Sequence, residues 1–131
     1  MKLLTKDIEK QLMTQYEKHR AGDREVSYCK TTPVVVKYFT PDANATWYIL
    51  EGMPLESHPC TKQILINDLD GREISDWVLF GLCDLGQGVR EWGEVLLSQL
   101  VKVRGKLGLP VERDRYYSGT YLDLTAIAGS Y

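Results

Sequence analysis

The chain has 131 residues, of which 44% are apolar and 26% are charged. These proportions are typical of one globular domain, and a chain of this length can bury most of the apolar surface that it exposes when unfolded. The net charge is −2 and the isoelectric point is about 5.7. These values exclude a protein that coats nucleic acid by bulk positive charge, because neutralising phosphates requires many clustered Lys and Arg side chains.

The cysteine pattern argues against a disulfide framework. The three cysteines, Cys29, Cys60 and Cys83, are odd in number and no two form a C-x-x-C pair. We therefore expect three reduced, partly buried thiols and no structural zinc site. The first residues, MKLLTKDIEKQ, lack the apolar run of a signal peptide, and the chain has no apolar segment of 18 residues. We expect a cytoplasmic protein that does not span a membrane.

The first predicted element is a helix over residues 5–20. Thr5 is placed as its N-cap, and Ile8, Leu12 and Tyr16 recur every four residues to form one apolar stripe. A helix of this kind is expected to pack its stripe against a sheet.

An antiparallel hairpin is predicted next. The run PVVVKYF (33–39) is rich in β-branched and aromatic residues, TPDANA (40–45) contains turn residues, and TWYILEG (46–52) is a second strand. Because neighbouring residues of a strand point to opposite faces, Trp47 and Tyr48 must face opposite ways. We expect Trp47 to face the core.

Residues 63–97 predict three further strands. Asp70-Gly71 and DLGQG (84–88) are turn signals between them. Gly81 and Gly93 interrupt two of the strands and predict bulges or a close approach of two backbones.

The C-terminal part has weaker signals. Ser98 is the predicted N-cap of a short helix that ends at Gly105, and the chain up to residue 117 is expected to be mostly extended because of Pro110. Residues 118–131 form a weakly patterned tail. The predicted fold is a single α+β domain over residues 1–131, with an antiparallel sheet of about four to five strands and both predicted helices on one face.

The segment from Ile64 to Glu94 has seven acidic residues against two basic ones. Within it, DLDGRE suggests a calcium loop, but the EF-hand template places Ile66 at the first ligand position and Trp77 at the closing one. The acids of this loop, Asp68, Asp70 and Glu73, are therefore predicted to be solvated turn residues, and no metal site is expected.

A basic segment follows, from Lys102 to Arg115, with five basic and two acidic residues. One interpretation is a strip that binds phosphate and stacks bases, formed by Arg113, Arg115, Tyr116 and Tyr117. The alternative is a network of ion pairs that holds an extended segment against the sheet.

Catalysis has little support in the sequence. His58 and Cys60 are close, but an activated thiol also needs an orienting partner and an electropositive setting. Gly-rich phosphate loops, H-E-x-x-H and G-x-S-x-G are absent from the sequence. We predict no catalytic residues and no cofactor, and an enzyme that uses Glu51 with Arg113 is the least favoured alternative.

Four segments in order, MKLLTKDIEKQL, VVVKYFTPDANATWYILEG, WVLFGL and VRGKLGLPVERDRYY, resemble a small bacterial domain of unknown function carried on conjugative plasmids, integrative elements and phages. The resemblance covers residues 1 to about 117. It departs at 60–76, which looks longer than usual, and after Ser118. It implies carriage on mobile DNA beside genes for transfer, replication and resistance to host defence. The matched positions are Thr40, Pro41, Trp47, Glu51, Gly52, Arg104, Gly105, Gly108, Pro110, Glu112, Arg113 and Asp114.

These observations favour a non-enzymatic accessory protein of a mobile element that binds a host or element-encoded protein, with an inhibitor-like counter-defence role. An acidic face would support this role, because it can compete with nucleic acid for a partner. The alternative is a nucleic-acid-binding accessory protein that uses the basic and aromatic strip at 104–117. The sequence leaves the oligomeric state open. The predicted binding residues are Trp47, Glu51, Arg104, Arg113, Arg115, Tyr116, Tyr117, Asp68, Asp70, Glu73 and Asp76.

Overall fold

The computed structural model describes residues 3–20, 31–56, 66–67, 73–86, 88 and 90–128. Over these ranges it has an antiparallel sheet with helices on both faces, which confirms the predicted α+β class. The elements in chain order are α1 (Lys6–Arg20), β1 (Val36–Phe39), β2 (Thr46–Glu56), β3 (Ile66–Asn67), β4 (Glu73–Asp84), β5 (Arg90–Leu96), α2 (Leu97–Lys102), β6 (Glu112–Arg113) and α3 (Tyr121–Ala128). None of the helices in this part of the chain is long and apolar enough to cross a membrane.

The long strands β2 and β4 form the centre of the sheet. The strand order is β3-β4-β2-β1-β6, and β5 pairs with the remaining part of β4, so that β5 and β6 lie at opposite edges. One row across the sheet runs from Lys37 through Tyr48 and Leu82 to Trp92. These side chains share one face, because directly opposed residues of antiparallel strands point to the same side.

The predicted helix and hairpin are confirmed. The amide of Ile8 donates to Thr5 Oγ1 at 3.3 Å, so Thr5 caps α1 as expected. The β1–β2 turn is closed by Thr40, whose hydroxyl accepts from the Ala45 amide at 3.0 Å. Trp47 is buried, with 5% of its surface exposed.

Two cores lie on opposite faces of the sheet. The first contains Leu12 of α1 and Leu100 of α2 with Ile49 of β2, so the two predicted helices share one face. The second contains Leu82 of β4 with Leu124 of α3. Helix α3 lies within the segment expected to be a weakly patterned tail. The signal for its start is the sequence TYLD, because Asp123 Oδ2 accepts from the Thr120 amide at 2.8 Å, as in a capping box.

The start of α2 differs from the prediction. The helix begins at Leu97, and Ser98 lies inside its first turn. The carboxylate of Asp76 in β4 accepts from the Ser98 amide at 3.0 Å and from the Ser98 hydroxyl at 2.5 Å. The Asp76 side chain of β4 thus caps the first turn of α2, which is the role that the sequence predicted for Ser98. The helix ends at Lys102, before Gly105, because Val103 is already extended.

The close approach predicted at Gly81 is confirmed. A Cβ atom there would lie 1.8 Å from the carbonyl oxygen of Tyr48. The register of β2 against β4 shifts at this point, between Ile49 and Glu51. Gly93 is directly opposite Gly81 in β5, yet a Cβ atom at Gly93 would meet nothing within 4 Å. Only one of the two strand glycines is therefore required by packing.

Of the three cysteines, Cys83 is described, and it is a free, half-buried thiol. Burial, and to a smaller extent the negative charge of Glu91, raises its pKa. Cys29 and Cys60 lie outside the described residues.

Alkaline pH is expected to destabilise the fold through Tyr38. Its ring is fully buried in the first core and its hydroxyl donates to the Leu3 carbonyl at 2.5 Å. Burial raises the pKa of Tyr38 far above its ordinary value of 10.0, and the positive charge of Arg113 lowers it by less. Because the folded-state pKa is the higher one, stability is fully present below pH 10.0 and falls as the pH rises above it.

Urea unfolding at a series of alkaline pH values, with tyrosinate absorbance, tests this expectation. Tyr38→Phe should show a shallower loss of stability with pH than the unmodified chain. A free energy of unfolding that stays constant between about pH 9 and pH 12 would contradict it.

Candidate functional site

Three loops meet at one end of the sheet, which we call the turn end. They are the β1–β2 turn (40–45), the start of the β4–β5 turn (85–86) and the loop 104–110. The register places Thr46, Asp84 and Arg90 side by side, so the two hairpin turns project from the same end. The third loop reaches this end through Asp42.

Asp42 binds the loop 104–110 to the β1–β2 turn. Its Oδ2 accepts from the Leu107 amide at 2.7 Å and from the Leu109 amide at 3.2 Å. Gly105 packs on the same carboxylate, since a Cβ atom there would lie 1.6 Å from Asp42 Oδ1. Gly108 has a φ of 80° and completes the tight turn by donating to the Gly105 carbonyl at 3.0 Å. Two of the positions singled out by the sequence resemblance, Gly105 and Gly108, therefore shape this loop.

Replacing Asp42 with alanine is expected to lower the free energy of unfolding by about 2 kcal/mol. The change removes two hydrogen bonds from backbone amides to a charged acceptor and releases the loop that carries Leu107. Hydrogen exchange at the Leu107 and Leu109 amides should rise in parallel. Asp123→Ala, which removes a comparable acceptor on α3, should leave these two amides protected, and equal exchange in both variants would contradict the assignment.

The β4–β5 turn packs against the β1–β2 turn. Gly86 has a φ of 77°, and a Cβ atom there would lie 2.5 Å from Asn44 Cβ. Asp84 shapes this turn by accepting from the Gly86 amide at 2.9 Å and from Arg90 Nε at 3.1 Å. The β1–β2 turn is thus held from both sides.

Large apolar side chains are exposed on and beside the turn end. Leu107 is 80% exposed, Leu85 is 56% exposed, and Tyr116 is 95% exposed. Tyr116 lies two residues beyond Asp114 at the β1 edge of the sheet, and its amide donates to Asp114 Oδ1 at 3.0 Å. Asp114 lines an open pocket of about 390 Å³ together with residues of the β1–β2 turn. Such side chains on loops held by hydrogen bonds are typical of a contact surface.

Lys37 occupies a polar and aromatic setting at the same pocket. Its ammonium group lies 3.6 Å from Asp114 Oδ2, 5.1 Å from the centre of the Tyr117 ring and 5.6 Å from that of Tyr48. The two rings are 5.5 Å apart. Burial is the main cause that raises the pKa of both tyrosines. These contacts tie the segment after β6 to the face of the sheet that carries the second core.

The basic and aromatic strip of the sequence is divided by the fold. Arg113 lies in β6, paired with Tyr38, whereas Tyr117 packs on Tyr48 on the opposite face. Arg115 and Tyr116 are exposed in a turn. The side chains of Arg115 and Tyr116 are therefore both exposed, whereas the side chain of Tyr117 packs against the sheet and does not belong to the same surface.

Arg104 lies apart from that turn. It is exposed, and its guanidinium group donates to the Val101 and Val103 carbonyls at 2.9 and 2.8 Å. Its backbone pairs with Pro110 at the base of the loop 104–110.

The remaining predicted binding residues fall into two groups. Trp47, Glu51 and Asp76 are buried, with 5%, 1% and 8% of their surfaces exposed. Asp68 and Asp70 lie outside the described residues, as does the side chain of Glu73. Among the side chains that are described, no three His, Cys, Asp or Glu residues are grouped as metal ligands would be.

Comparison with known proteins gives one match. The family described as Protein of unknown function (DUF2958) matches residues 60–129. No curated protein and no solved structure matches the chain. The matched range includes α3, beyond Ser118, where the sequence resemblance was expected to end. Because this range is more than half of the chain, the chain belongs to the DUF2958 family, a domain of unknown function.

Proposed function

We propose that this chain is an accessory protein of a mobile element that binds a host or element-encoded protein through the turn end. The observation that carries the proposal is the exposure of Leu107 and Tyr116 on and beside loops that are held in place. The mobile-element setting is supported by the sequence resemblance, and a counter-defence role follows from that setting.

The turn end is suited to binding because its loops are ordered before a partner arrives. Asp42 holds one loop and Asn44 contacts another, so little conformational entropy is lost on association. Tyr116 presents almost its whole ring beside Arg115, and both residue types are enriched at the centre of protein interfaces. Leu107 adds an exposed apolar side chain on the loop that Asp42 holds.

Capture of partners from lysate of a bacterium that carries the element, followed by titration with the purified partner, tests this proposal. Leu107→Asp and Tyr116→Ala should each weaken the purified interaction by about tenfold or more. The matched control is Leu122→Asp, because Leu122 is 49% exposed on α3, in a different part of the fold. Equal binding by all three variants would contradict the turn end as the docking surface.

The second candidate function is binding of single-stranded nucleic acid. It is supported by the exposed pair Arg115 and Tyr116, together with the exposed Arg104 and Lys106 of the loop 104–110. The Tyr116 ring can stack on a base while the Arg and Lys side chains contact the phosphates.

Fluorescence anisotropy with single-stranded DNA at several salt concentrations distinguishes the two functions. Nucleic-acid binding predicts an affinity that falls as salt rises, and Arg104→Ala with Arg115→Ala should make that dependence shallower. A flat titration at low salt would remove this candidate and leave the protein-binding proposal standing.

A further inference from the structure

We infer that two copies of this chain associate through the β5 edge, with the two β5 strands pairing antiparallel about Trp92. This inference goes beyond the proposed function and uses a different surface. The turn end projects from the ends of the strands, whereas β5 forms one lateral edge of the sheet.

The first observation is an exposed edge strand. Within the described part of the chain, the pairing of β5 (Arg90–Leu96) is with β4 alone. Its seven residues present a row of backbone amides and carbonyls to one side, and such a row readily pairs with another strand. Glu91 and Trp92 are exposed, and the space beside Gly93 is open.

The second observation is the order of charges along this edge. Arg90, Trp92 and Glu94 lie on the same face of β5, because every second residue of a strand points to the same side. When two copies pair antiparallel about Trp92, Arg90 of each copy lies opposite Glu94 of the other. Two symmetric pairs of opposite charge then flank a Trp92–Trp92 contact, and both kinds of cross-strand pair are stabilising.

Other registers that keep like faces together are less favourable. Pairing about Glu91 or Glu94 places two carboxylates directly opposite each other. Pairing about Gly93 places Trp92 opposite Glu94 and Arg90 opposite Leu96, so no opposite charges meet. Charged residues on an edge usually prevent pairing, but here their order is self-complementary in one register.

The neighbouring structure supports this pairing geometry. Trp92 is held by the Tyr121 ring of α3 at a centroid distance of 5.5 Å, and 38% of its surface is still exposed. Arg90 is oriented along the same face by its ion pair with Asp84, with 36% of its side chain exposed. Arg90 Nη1 also donates to the Ile127 carbonyl of α3 at 3.5 Å, so a contact with Glu94 of a second copy would use other N–H groups of the guanidinium. On the other face, Glu91 would lie opposite Gly93 of the second copy, where no side chain obstructs it.

Sedimentation equilibrium of the full chain tests the inference through a charge-swap design. The unmodified chain should dimerise in a concentration-dependent manner. Arg90→Glu and Glu94→Arg should each weaken the dimer about tenfold, because each creates two pairs of like charge. An equimolar mixture of these two variants should recover dimers, since each acidic side chain of one variant then faces a basic side chain of the other.

The mixture also excludes misfolding as the cause of a loss, because unfolded variants would not recover association. Glu91→Lys is the matched control. It also replaces an acidic side chain of β5 with a basic one, but position 91 lies opposite Gly93 of the second copy, so the dimer should persist. Leu107→Asp should also leave the dimer intact, which separates this surface from the turn end.

A chain that stays monomeric up to roughly 1 mM would overturn the inference. So would a Glu91→Lys variant that weakens the dimer as much as Glu94→Arg does. Failure of the mixed variants to associate would have the same consequence.

Discussion

Replacing Gly81 with alanine is expected to lower the free energy of unfolding by about 3 kcal/mol or more. The added Cβ would lie 1.8 Å from the Tyr48 carbonyl oxygen and 2.9 Å from Ile49 Cα. Both atoms belong to the backbone of β2, so no side-chain rotation can relieve the clash. The two longest strands of the sheet would have to separate where they are both buried. Urea unfolding followed by tryptophan fluorescence measures this loss, together with the soluble yield.

Gly93→Ala is the matched control for this experiment. Gly93 is the direct cross-strand neighbour of Gly81, and a Cβ atom there would meet nothing within 4 Å. Its substitution should change stability by less than about 0.5 kcal/mol. If both variants lost stability equally, the cause would be backbone flexibility and not the contact with Tyr48.

The second large effect is expected for Asp76→Ala, with a loss of about 3 kcal/mol in the free energy of unfolding. The Asp76 carboxylate accepts from the Trp77 amide at 2.8 Å and from both the amide and the hydroxyl of Ser98. Alanine would leave these donors without their acceptor in a part of the structure where Asp76 is 8% exposed. It would also remove the acceptor at the first turn of α2.

Two further variants divide this effect into its parts. Ser98→Ala removes only the hydroxyl donor and should cost about 1 kcal/mol. Asp76→Asn keeps one oxygen acceptor and should be intermediate between the two. Thermal unfolding by circular dichroism ranks the three variants, and an Asp76→Ala protein as stable as the unmodified chain would contradict this role for the carboxylate.

The Asp76 result also bears on how the acidic segment is interpreted. The sequence groups Asp76 with Asp68, Asp70 and Glu73 as predicted binding residues on one acidic segment. The structure shows that Asp76 connects β4 to α2, so a substitution there tests stability. Experiments on acidic residues as a partner surface should therefore use Asp68 and Asp70, without Asp76.

Local patterns in the sequence were sufficient for several elements. The apolar stripe and the Thr5 cap predict α1, and alternation predicts that Trp47 and Tyr48 face opposite ways, with the large Trp47 ring expected in the core. These signals are reliable because they depend on residues within one or two turns of helix, or on neighbours in one strand. The predicted tail over 118–131 misses α3, although the signal for its start is equally local, since Thr120 and Asp123 are only three residues apart.

The contacts that define the candidate site, and the one that joins β4 to α2, depend on residues far apart in the chain. Asp42 binds an amide 65 residues away at Leu107, and Asp76 binds Ser98 22 residues away. Nothing in the local composition around either aspartate specifies these partners, because they are brought together only when the sheet forms.

The amino-acid sequence by itself determined the α+β class, the first helix and the β1–β2 hairpin, whereas the structure decided that Gly81, and not Gly93, is required by packing. The tertiary structure alone decided that Arg115 and Tyr116 are exposed while Tyr117 packs on Tyr48, and that the β5 edge is open within the described residues. The physical reason is the range of the forces involved. Periodicity and turn chemistry act over a few residues, whereas burial and edge exposure depend on which distant segments pack against each strand.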